Sequence, residues 1–347
     1  MSLPLTYVLH SGQMFGTERM ALATLDALRG RFDGVLIAPP GPVHAAARAS
    51  GLSSEVAATR MAVLQVLWRR WRRHPHGALL TTGVWQSAAG CVIQLLAGGR
   101  GAHLHIVHGG TDERLSYGRK RWLSRLPLRF VAVSDFVRQR LLAHGVPAER
   151  IDVVGNFLPA GPVAQRAPFR RDGVRRVVML SRLDRIKRVG LLFDALERVP
   201  GLGALQFDVY GSGEEATALR ARALGHPNVT LHGFVPNASA PLAAADLLLH
   251  TCPEEPFGLV LLEAFAAGVP VLVPNSGGAG DLVRHGISGW HFSANDAVSL
   301  GQQLVALSSA SGALLNGLAL GGRRALAQGH DPQRQARHYA RLAGHSA

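Results

Sequence analysis

Two carboxylates with a fixed separation stand out in the segment EPFGLVLLE, which runs from Glu255 to Glu263. Residues 258–267 lack proline and are rich in Leu and Ala, so they predict a short helix that ends at Gly268, before Pro270. Glu255 would then precede the helix, and Glu263 would lie roughly 7 Å along its axis. The amides of the helix N-terminus would lie between the two carboxylates, where they suit a phosphate group.

A ligand with hydroxyl groups at both ends and phosphate in the middle would match this arrangement, and a nucleotide sugar has that shape. The predicted helix is apolar nearly all round and is therefore expected to be buried, so Glu263 needs a partner. The alternative is that Glu263 pairs with a core arginine while Glu255 is solvated. These residues alone leave both interpretations open.

Two cations follow the apolar run RVVML in the stretch SRLDRIKRVG, residues 181–190. Arg182 stands at the carboxyl end of the predicted strand, and Lys187 lies on the loop before the next helix. Ligands of parallel sheets bind at that edge. Two cations there suit a diphosphate that must be held and must leave with negative charge. A solvated basic loop is the alternative.

Other residues at predicted strand ends are further candidates. His108 ends the strand LHIVH, Gly16 opens a helix after HSGQMF, and Phe234 in HGFVPN offers a flat ring to a nucleotide base. Gly277 and Gly278 would let a sugar or phosphate lie against backbone amides. A core histidine, or ordinary turn chemistry, is the alternative in each case.

These candidates need elements to position them, and short apolar β-type runs alternate with helical stretches along the whole chain. That alternation predicts α/β architecture with parallel sheets. Residues 159–173 are rich in Pro and Arg, without periodicity, and are typical of a linker. We therefore predict two doubly wound, Rossmann-like domains, residues 1–165 and 166–330, facing across a cleft. A C-terminal helix at about 331–347 would pack back on the first domain.

The composition indicates a globular protein with large apolar cores. The 347 residues are 47% hydrophobic, which supports large cores, and include only two cysteines, Cys91 and Cys252. Their separation matches neither a metal nor a redox motif, and indicates a reducing compartment. No apolar run approaches the roughly 18–20 residues of a membrane span, and the start of the chain lacks a basic signal region. The expectation is a cytoplasmic protein.

The net charge of +14 is concentrated in the first half of the chain and implies an anionic partner. The segment 61–76, MAVLQVLWRRWRRHPH, predicts a helix with Leu64, Leu67, Trp68 and Trp71 on one face and four arginines beside it. Trp with Arg is typical of a helix lying on an anionic membrane surface. The alternative is a surface helix packed on the first sheet. Nucleic-acid binding is disfavoured, because aromatic content is 6% and the basic residues lack a stacking platform.

Taken together, these stretches resemble family 4 of the GT-B glycosyltransferases, retaining enzymes with two Rossmann-like domains. The resemblance is strongest over residues 175–292. It rests there on E-x7-E in EPFGLVLLE, on SRLDRIK, on the HGFV strand end and on GGAGDLVRHGISG. The first half matches more loosely, through FGTER, VHGG and the stretch VAVSDFVRQRLLAHGVPAERIDVVGN.

The resemblance implies roles for the candidates by position. Arg182 and Lys187 would bind the donor diphosphate, and Glu263 would take the ribose hydroxyls. Glu255 would contact the donor sugar, and His108 would approach it near the reacting carbon. The remaining donor contacts would come from Gly16 in the first domain and from the amides of Phe257, Gly258 and Leu259.

The implied reaction moves a sugar from a nucleoside diphosphate sugar to an acceptor hydroxyl, with retained configuration. No cofactor or metal is expected, since Arg and Lys replace the cation. A glycan or lipid-linked acceptor in cell-surface polysaccharide synthesis is the expected partner. Rival interpretations are a nucleotide-sugar epimerase with a similar two-domain fold and a non-catalytic nucleotide-sugar-binding protein.

Overall fold

The computed structural model describes residues 2–109, 117–159 and 161–344. The chain forms two compact units, one of Met1–Ala160 with His330–Ala347 and one of Gly161–Gly329. Each unit has its own parallel sheet flanked by helices, which confirms the predicted α/β class.

The first unit is built on a seven-stranded sheet in the order β3-β2-β1-β4-β5-β6-β7, with every neighbouring pair parallel. Its strands are β1 Leu3–Val8, β2 Phe32–Ala38, β3 Ser53–Val56, β4 Ala78–Thr81, β5 His103–Val107, β6 Arg129–Ala132 and β7 Ile151–Val153. Its helices are α1 Gly16–Ala27, α2 Val43–Ala49, α3 Arg60–Arg73, α4 Val84–Leu96, α5 Lys120–Leu123, α6 Asp135–Ala143 and, at the C-terminal end, α14 Pro332–Leu342.

The second unit holds a six-stranded parallel sheet in the order β10-β9-β8-β11-β12-β13. Its strands are β8 Arg176–Leu180, β9 Gln206–Tyr210, β10 Val229–Gly233, β11 Leu247–Leu249, β12 Val271–Pro274 and β13 Trp290–Phe292. Its helices are α7 Gly190–Arg198, α8 Ala216–Ala223, α9 Ser239–Ala243, α10 Leu259–Ala267, α11 Gly277–Leu282, α12 Ala297–Ser308 and α13 Gly312–Gly329.

The apolar runs of the sequence correspond to the buried strands of these sheets. Strands β4, β11 and β12 are buried at every position, as expected for parallel strands covered by helices on both faces. Strands β3 and β13 lie at sheet edges, and the polar sequence SSEV of β3 offers no apolar run from which a strand could be predicted. A strand at the edge of a sheet is paired on one side only and is less enclosed by the rest of the protein, so more of its side chains can be polar.

The segment predicted as a linker is bound to the second unit over its later part. Arg166 donates to Ala245 O at 2.9 Å and pairs with Asp246 at 2.7 Å. Arg171 pairs with the same carboxylate at 3.0 Å. Asn316 on α13 bonds both the N–H and the carbonyl of Phe169, at 2.8 and 3.0 Å. The arginines here bind the segment to the second unit. An Arg-rich composition alone does not distinguish such bound arginines from those of a solvated linker.

Helix α3 packs on the first sheet through one apolar face. Val63, Val66, Leu67 and Trp71 are buried in a cluster with residues of β1, β2 and β4. The prediction that Leu67 and Trp71 face lipid is therefore wrong, because the sheet already covers them. Trp68, from the same predicted face, remains 43% exposed.

No single described helix is long and apolar enough to span a membrane. One bent pair, Ala297–Ser308 with Gly312–Leu342, meets the length and composition criteria only when both helices are taken together, across a bend of 114°.

Candidate active site

The loops after β8 and β11 meet where the second sheet reverses its strand order. These strands are hydrogen-bonded neighbours, with Leu247 opposite Val177. From β8 the chain goes on to β9 and β10 on one side, whereas from β11 it goes on to β12 and β13 on the other. Loops that diverge in this way leave a crevice at the carboxyl ends of the strands, which is where doubly wound sheets bind ligands. Lys187 follows β8 and Glu255 follows β11, so the topology brings them together.

Lys187 and Glu255 form a direct ion pair in this crevice. The Lys187 Nζ lies 2.6 Å from Glu255 Oε2, and their side chains are 17% and 12% exposed. Thr251 holds the lysine loop by donating from Oγ1 to the Lys187 carbonyl at 2.7 Å. The alternative that Glu255 is merely solvated is therefore wrong, since the strand order buries its loop against the lysine.

The pair keeps both groups charged although burial works against both charges. Burial raises the pKa of Glu255, but Lys187 and then His250 outweigh it and hold that pKa well below its usual range. Burial likewise lowers the pKa of Lys187, but Glu255 outweighs it and leaves that pKa above its usual value. The site therefore presents an ammonium and a carboxylate over the whole physiological pH range.

His250 is a site residue that sequence reasoning missed. It is buried, and its Nε2 lies 3.3 Å from the Glu255 oxygen that Lys187 contacts. The geometry is not that of an ordinary hydrogen bond, and this nitrogen has no hydrogen-bond partner among the residues the structure describes. A histidine following the apolar strand DLLL at its carboxyl end was the available signal. Lys187 and His250 thus both lie against the same carboxylate oxygen of Glu255.

His250, Cys252 and Glu255 together have the spacing of a possible set of cation ligands. The ligand atoms of His250, Cys252 and Glu255 all lie within 4.8 Å of one another. Burial raises the pKa of the Cys252 thiol to about 12, so the thiol is protonated and would have to lose its proton to bind a metal. The Lys187 ammonium already lies against the carboxylate that a divalent ion would need. This donor set fits a resident ammonium better than a metal.

Arg182 lies on the same loop as Lys187 but is far more open. Its side chain is 51% exposed, and its Nη1 pairs with Asp184 at 2.7 Å. An exposed guanidinium held by one carboxylate keeps other N–H donors for an anion. Its charge also acts on Lys187, which places the two cations in one neighbourhood.

The predicted helix between the two glutamates is present as α10. It begins at Leu259, immediately after Gly258, whose φ of +90° lies in the left-handed region. A side chain at Gly258 would be strained, and its Cβ would lie 3.0 Å from Leu261. Phe257 is buried, and Glu263 is half-buried on the helix. The first turn of α10 therefore follows Glu255 directly, at the carboxyl edge of the sheet.

The glycine pair at 277–278 has a structural use. A Cβ at Gly277 would lie 2.7 Å from the Pro253 carbonyl, and one at Gly278 would lie 2.3 Å from the Pro256 carbonyl. The Gly278 amide donates to Glu255 O at 2.7 Å. These glycines let α11 approach the loop that carries Glu255, so their close contact is with the protein's own backbone.

Phe234 lies in the loop after β10 and is 72% exposed. His232, two residues earlier, already has partners within the protein. Its ring stacks on that of Tyr210 with 4.4 Å between ring centres, and its Nε2 lies 2.6 Å from Asp208 Oδ1. The structure thus brings Lys187 and Glu255 into contact, with Arg182 nearby, and leaves the Phe234 ring open to solvent.

Gly16 and His108 belong to the first unit. Gly16 is the first residue of α1, after the exposed Phe15, whose amide donates to buried Glu18 at 3.0 Å. Gly12 in the same loop packs on its own chain, since a Cβ there would lie 2.4 Å from the Pro39 carbonyl. Gly12 is thus in close contact with the backbone of residues 39–40.

His108 follows β5, and its Nε2 is buried without a hydrogen-bond partner among the described residues. Burial, with a smaller contribution from His10, lowers the pKa of His108 to about 4, so the ring is neutral at pH 7. The two histidines earlier on β5 are core residues. His105 Nδ1 lies 2.6 Å from Ser87 Oγ, and His103 Nδ1 lies 3.3 Å from Cys91 Sγ.

Two family models match this chain and together cover most of it. Residues 16–160 match Glycosyltransferase Family 4, and residues 174–310 match Glycosyl transferases group 1. The N-acetyl-alpha-D-glucosaminyl L-malate synthase of Bacillus anthracis is 28% identical over 176 residues, covering 46% of this chain and 45% of that protein. The chain spans about half the length of the curated relatives it matches.

Solved structures match over nearly the full length. Anabaena HepE in complex with UDP and glucose superposes with a TM-score of 0.82 at 18% identity, covering 98% of each chain. The lipopolysaccharide outer core galactosyltransferase WaaB in its apo form gives 0.76 at 15% identity, covering 98% of this chain and 99% of that one. The two family models agree with the fold, and the chain belongs to the GT-B glycosyltransferases, family 4.

Proposed function

We propose that this protein is a retaining glycosyltransferase that moves a sugar from a nucleoside diphosphate sugar to an acceptor hydroxyl. The observation that carries the proposal is the buried Lys187–Glu255 pair directly before the first turn of α10. An ammonium, a carboxylate and a helix N-terminus at one strand edge match the charges of a diphosphate and the hydroxyls of a sugar.

In this proposal Lys187 and Arg182 bind the diphosphate and stabilise its charge as it leaves. The bond between the anomeric carbon and the phosphate oxygen breaks, and the electron pair stays on that oxygen. The acceptor oxygen bonds the same face of the carbon, and its proton passes to the departing phosphate. Preorganised cations that meet growing negative charge lower the barrier without reorganising.

Glu255 binds sugar hydroxyls through its carboxylate. Glu263 takes the ribose hydroxyls, and Phe234 lies against the base. The amides of Phe257, Gly258 and Leu259 hold sugar and phosphate. No metal takes part.

For the acceptor, we propose a lipid-linked glycan in cell-surface polysaccharide synthesis. The enzyme would reach it as a peripheral protein on the inner face of the plasma membrane. The name of WaaB supports a role in surface glycans. The UDP and glucose bound to HepE support a UDP-sugar donor.

Thermal-shift screening against UDP-, GDP- and ADP-sugars would identify the donor. Incubation with that donor and a lipid-linked glycan, followed by NMR of the product, would show transfer and the anomeric configuration. An inverted product would refute retention. Conversion of the donor to another nucleotide sugar without acceptor would instead establish the epimerase alternative.

A further inference from the structure

Helix α4 in the first unit presents an apolar surface to solvent. Its sequence from Val84 to Leu96 contains no charged residue. One side buries Ser87, Gly90, Cys91 and Gln94. The remaining side exposes Val92 by 53%, Leu95 by 81% and Leu96 by 64%.

The neighbouring helix α5 also exposes an apolar side chain. It packs against α4 and exposes Trp122 by 63%. The Arg125 guanidinium lies 4.3 Å from the centre of the Trp122 ring, so a cation lies against this exposed aromatic side chain. We call Val92, Leu95, Leu96 and Trp122 the α4 surface.

The stretch of sequence that contains α4 and α5 carries mostly positive charge. Residues 57–134 contain twelve Lys or Arg and only two acidic residues, Asp112 and Glu113, which lie outside the described residues. Arg119, Arg121 and Arg125 on and around α5 are exposed.

We propose that the α4 surface docks on an anionic lipid bilayer. Leu95, Leu96 and Trp122 would enter the interface, while Arg121 and Arg125 contact lipid phosphates. Exposed aliphatic side chains, an interfacial tryptophan and a basic border are the features of an interfacial anchor. A second copy of this chain fits poorly, since a two-fold contact would bring the same basic borders together. The inference locates the membrane contact of the proposed function on α4 and α5, and not on the α3 arginines.

The test is flotation of the full chain with vesicles of phosphatidylcholine alone and with phosphatidylglycerol added. The variant Leu95→Glu/Leu96→Glu should bind anionic vesicles at least about tenfold more weakly than the wild type. Leu224→Glu is the matched control, because Leu224 is 90% exposed in the second unit and should be replaceable without effect. Arg121→Gln/Arg125→Gln should weaken binding more than Arg72→Gln/Arg73→Gln on α3.

Circular dichroism and the affinity for nucleoside diphosphate would establish that each variant is folded, and Trp122→Gln is the milder variant should the double substitution not fold. Undiminished flotation of the folded α4 variants would overturn the proposal, and so would equal binding of the wild type to neutral vesicles. A dimer in light scattering that Leu95→Glu/Leu96→Glu dissolves would assign the surface to self-association. Because flotation needs no turnover, failure here would leave the proposed transferase activity standing.

Discussion

Lys187 Nζ lies 2.6 Å from Glu255 Oε2, although the two residues stand 68 positions apart in the chain. Both side chains are largely buried, so each charge depends on the other for compensation. A substitution at either position should therefore change both the activity and the stability of the protein.

Glu255→Gln should nearly abolish transfer, because it removes a charged hydrogen-bond acceptor from the sugar in the transition state. We expect a barrier increase of about 2–4 kcal/mol, measured as kcat with saturating donor. The substitution also leaves the Lys187 ammonium without its counter-charge, so a loss of stability of about 1–3 kcal/mol should accompany it.

The matched control is Glu254→Gln, an exposed neighbour on the same loop. It should retain most of the activity. Full turnover by Glu255→Gln would remove Glu255 from the mechanism.

Lys187→Ala and Arg182→Ala should each weaken binding of the free nucleoside diphosphate and lower kcat. Both cations would contact charge that grows as the leaving group departs. Calorimetry with the nucleoside diphosphate measures the first effect, and Arg185→Ala, an exposed cation between them, is the control. Unchanged affinity in both variants would place the diphosphate site elsewhere.

His250→Phe should lower kcat several-fold while leaving nucleoside diphosphate affinity near that of the wild type. The ring is buried beside Glu255 Oε2 and would act by holding that carboxylate in position. The measurement is kcat and calorimetric affinity on the same preparations. Parallel loss of both quantities would point to a general structural role instead.

Transfer should survive EDTA. The group His250, Cys252 and Glu255 contains a thiol whose pKa is raised to about 12 by burial and a carboxylate paired with an ammonium. Both features oppose a divalent cation, and Arg182 and Lys187 supply positive charge in its place. Activity that is lost in EDTA and restored by Mg²⁺ or Mn²⁺ would contradict this.

The first unit should lose stability as the pH falls from about 6.5 to about 4.5. Burial lowers the pKa of His103 to about 3 and that of His108 to about 4, and it holds that of His105 well below its usual value. In this range the unfolded chain binds protons that the folded chain does not, so acid favours unfolding. Thr81, Ser87 and Cys91 face these rings, and the positive charge of Lys120 further disfavours protonating His105.

With three such groups, the free energy of unfolding should fall by up to about 4 kcal/mol for each pH unit of acidification near pH 5. Urea unfolding followed by tryptophan fluorescence would measure it, since four of the five tryptophans lie in the first unit. His103→Gln should flatten the slope, whereas His76→Gln, at an exposed position, should not. A pH-independent midpoint between pH 6.5 and 4.5 would contradict the prediction.

Local sequence was sufficient for features that depend on neighbours along the chain. Alternating apolar and helical stretches specified two parallel α/β sheets, because strand and helix periods are properties of short segments. Gly268, with φ +72°, ends α10 as its position after the apolar run predicted. Placing Lys187 and Glu255 after strands likewise needed only the order of elements.

Contacts between distant segments needed the tertiary structure. Only the strand order brings β8 beside β11 and thereby buries Glu255 against Lys187 with His250 alongside. The apolar face of α3 could equally have met lipid, but the first sheet covers Leu67 and Trp71. The apolar sequence of α4 was consistent with a buried helix, yet Leu95 is 81% exposed. Burial is set by what packs on a segment, and that depends on the fold of the whole unit rather than on the segment itself.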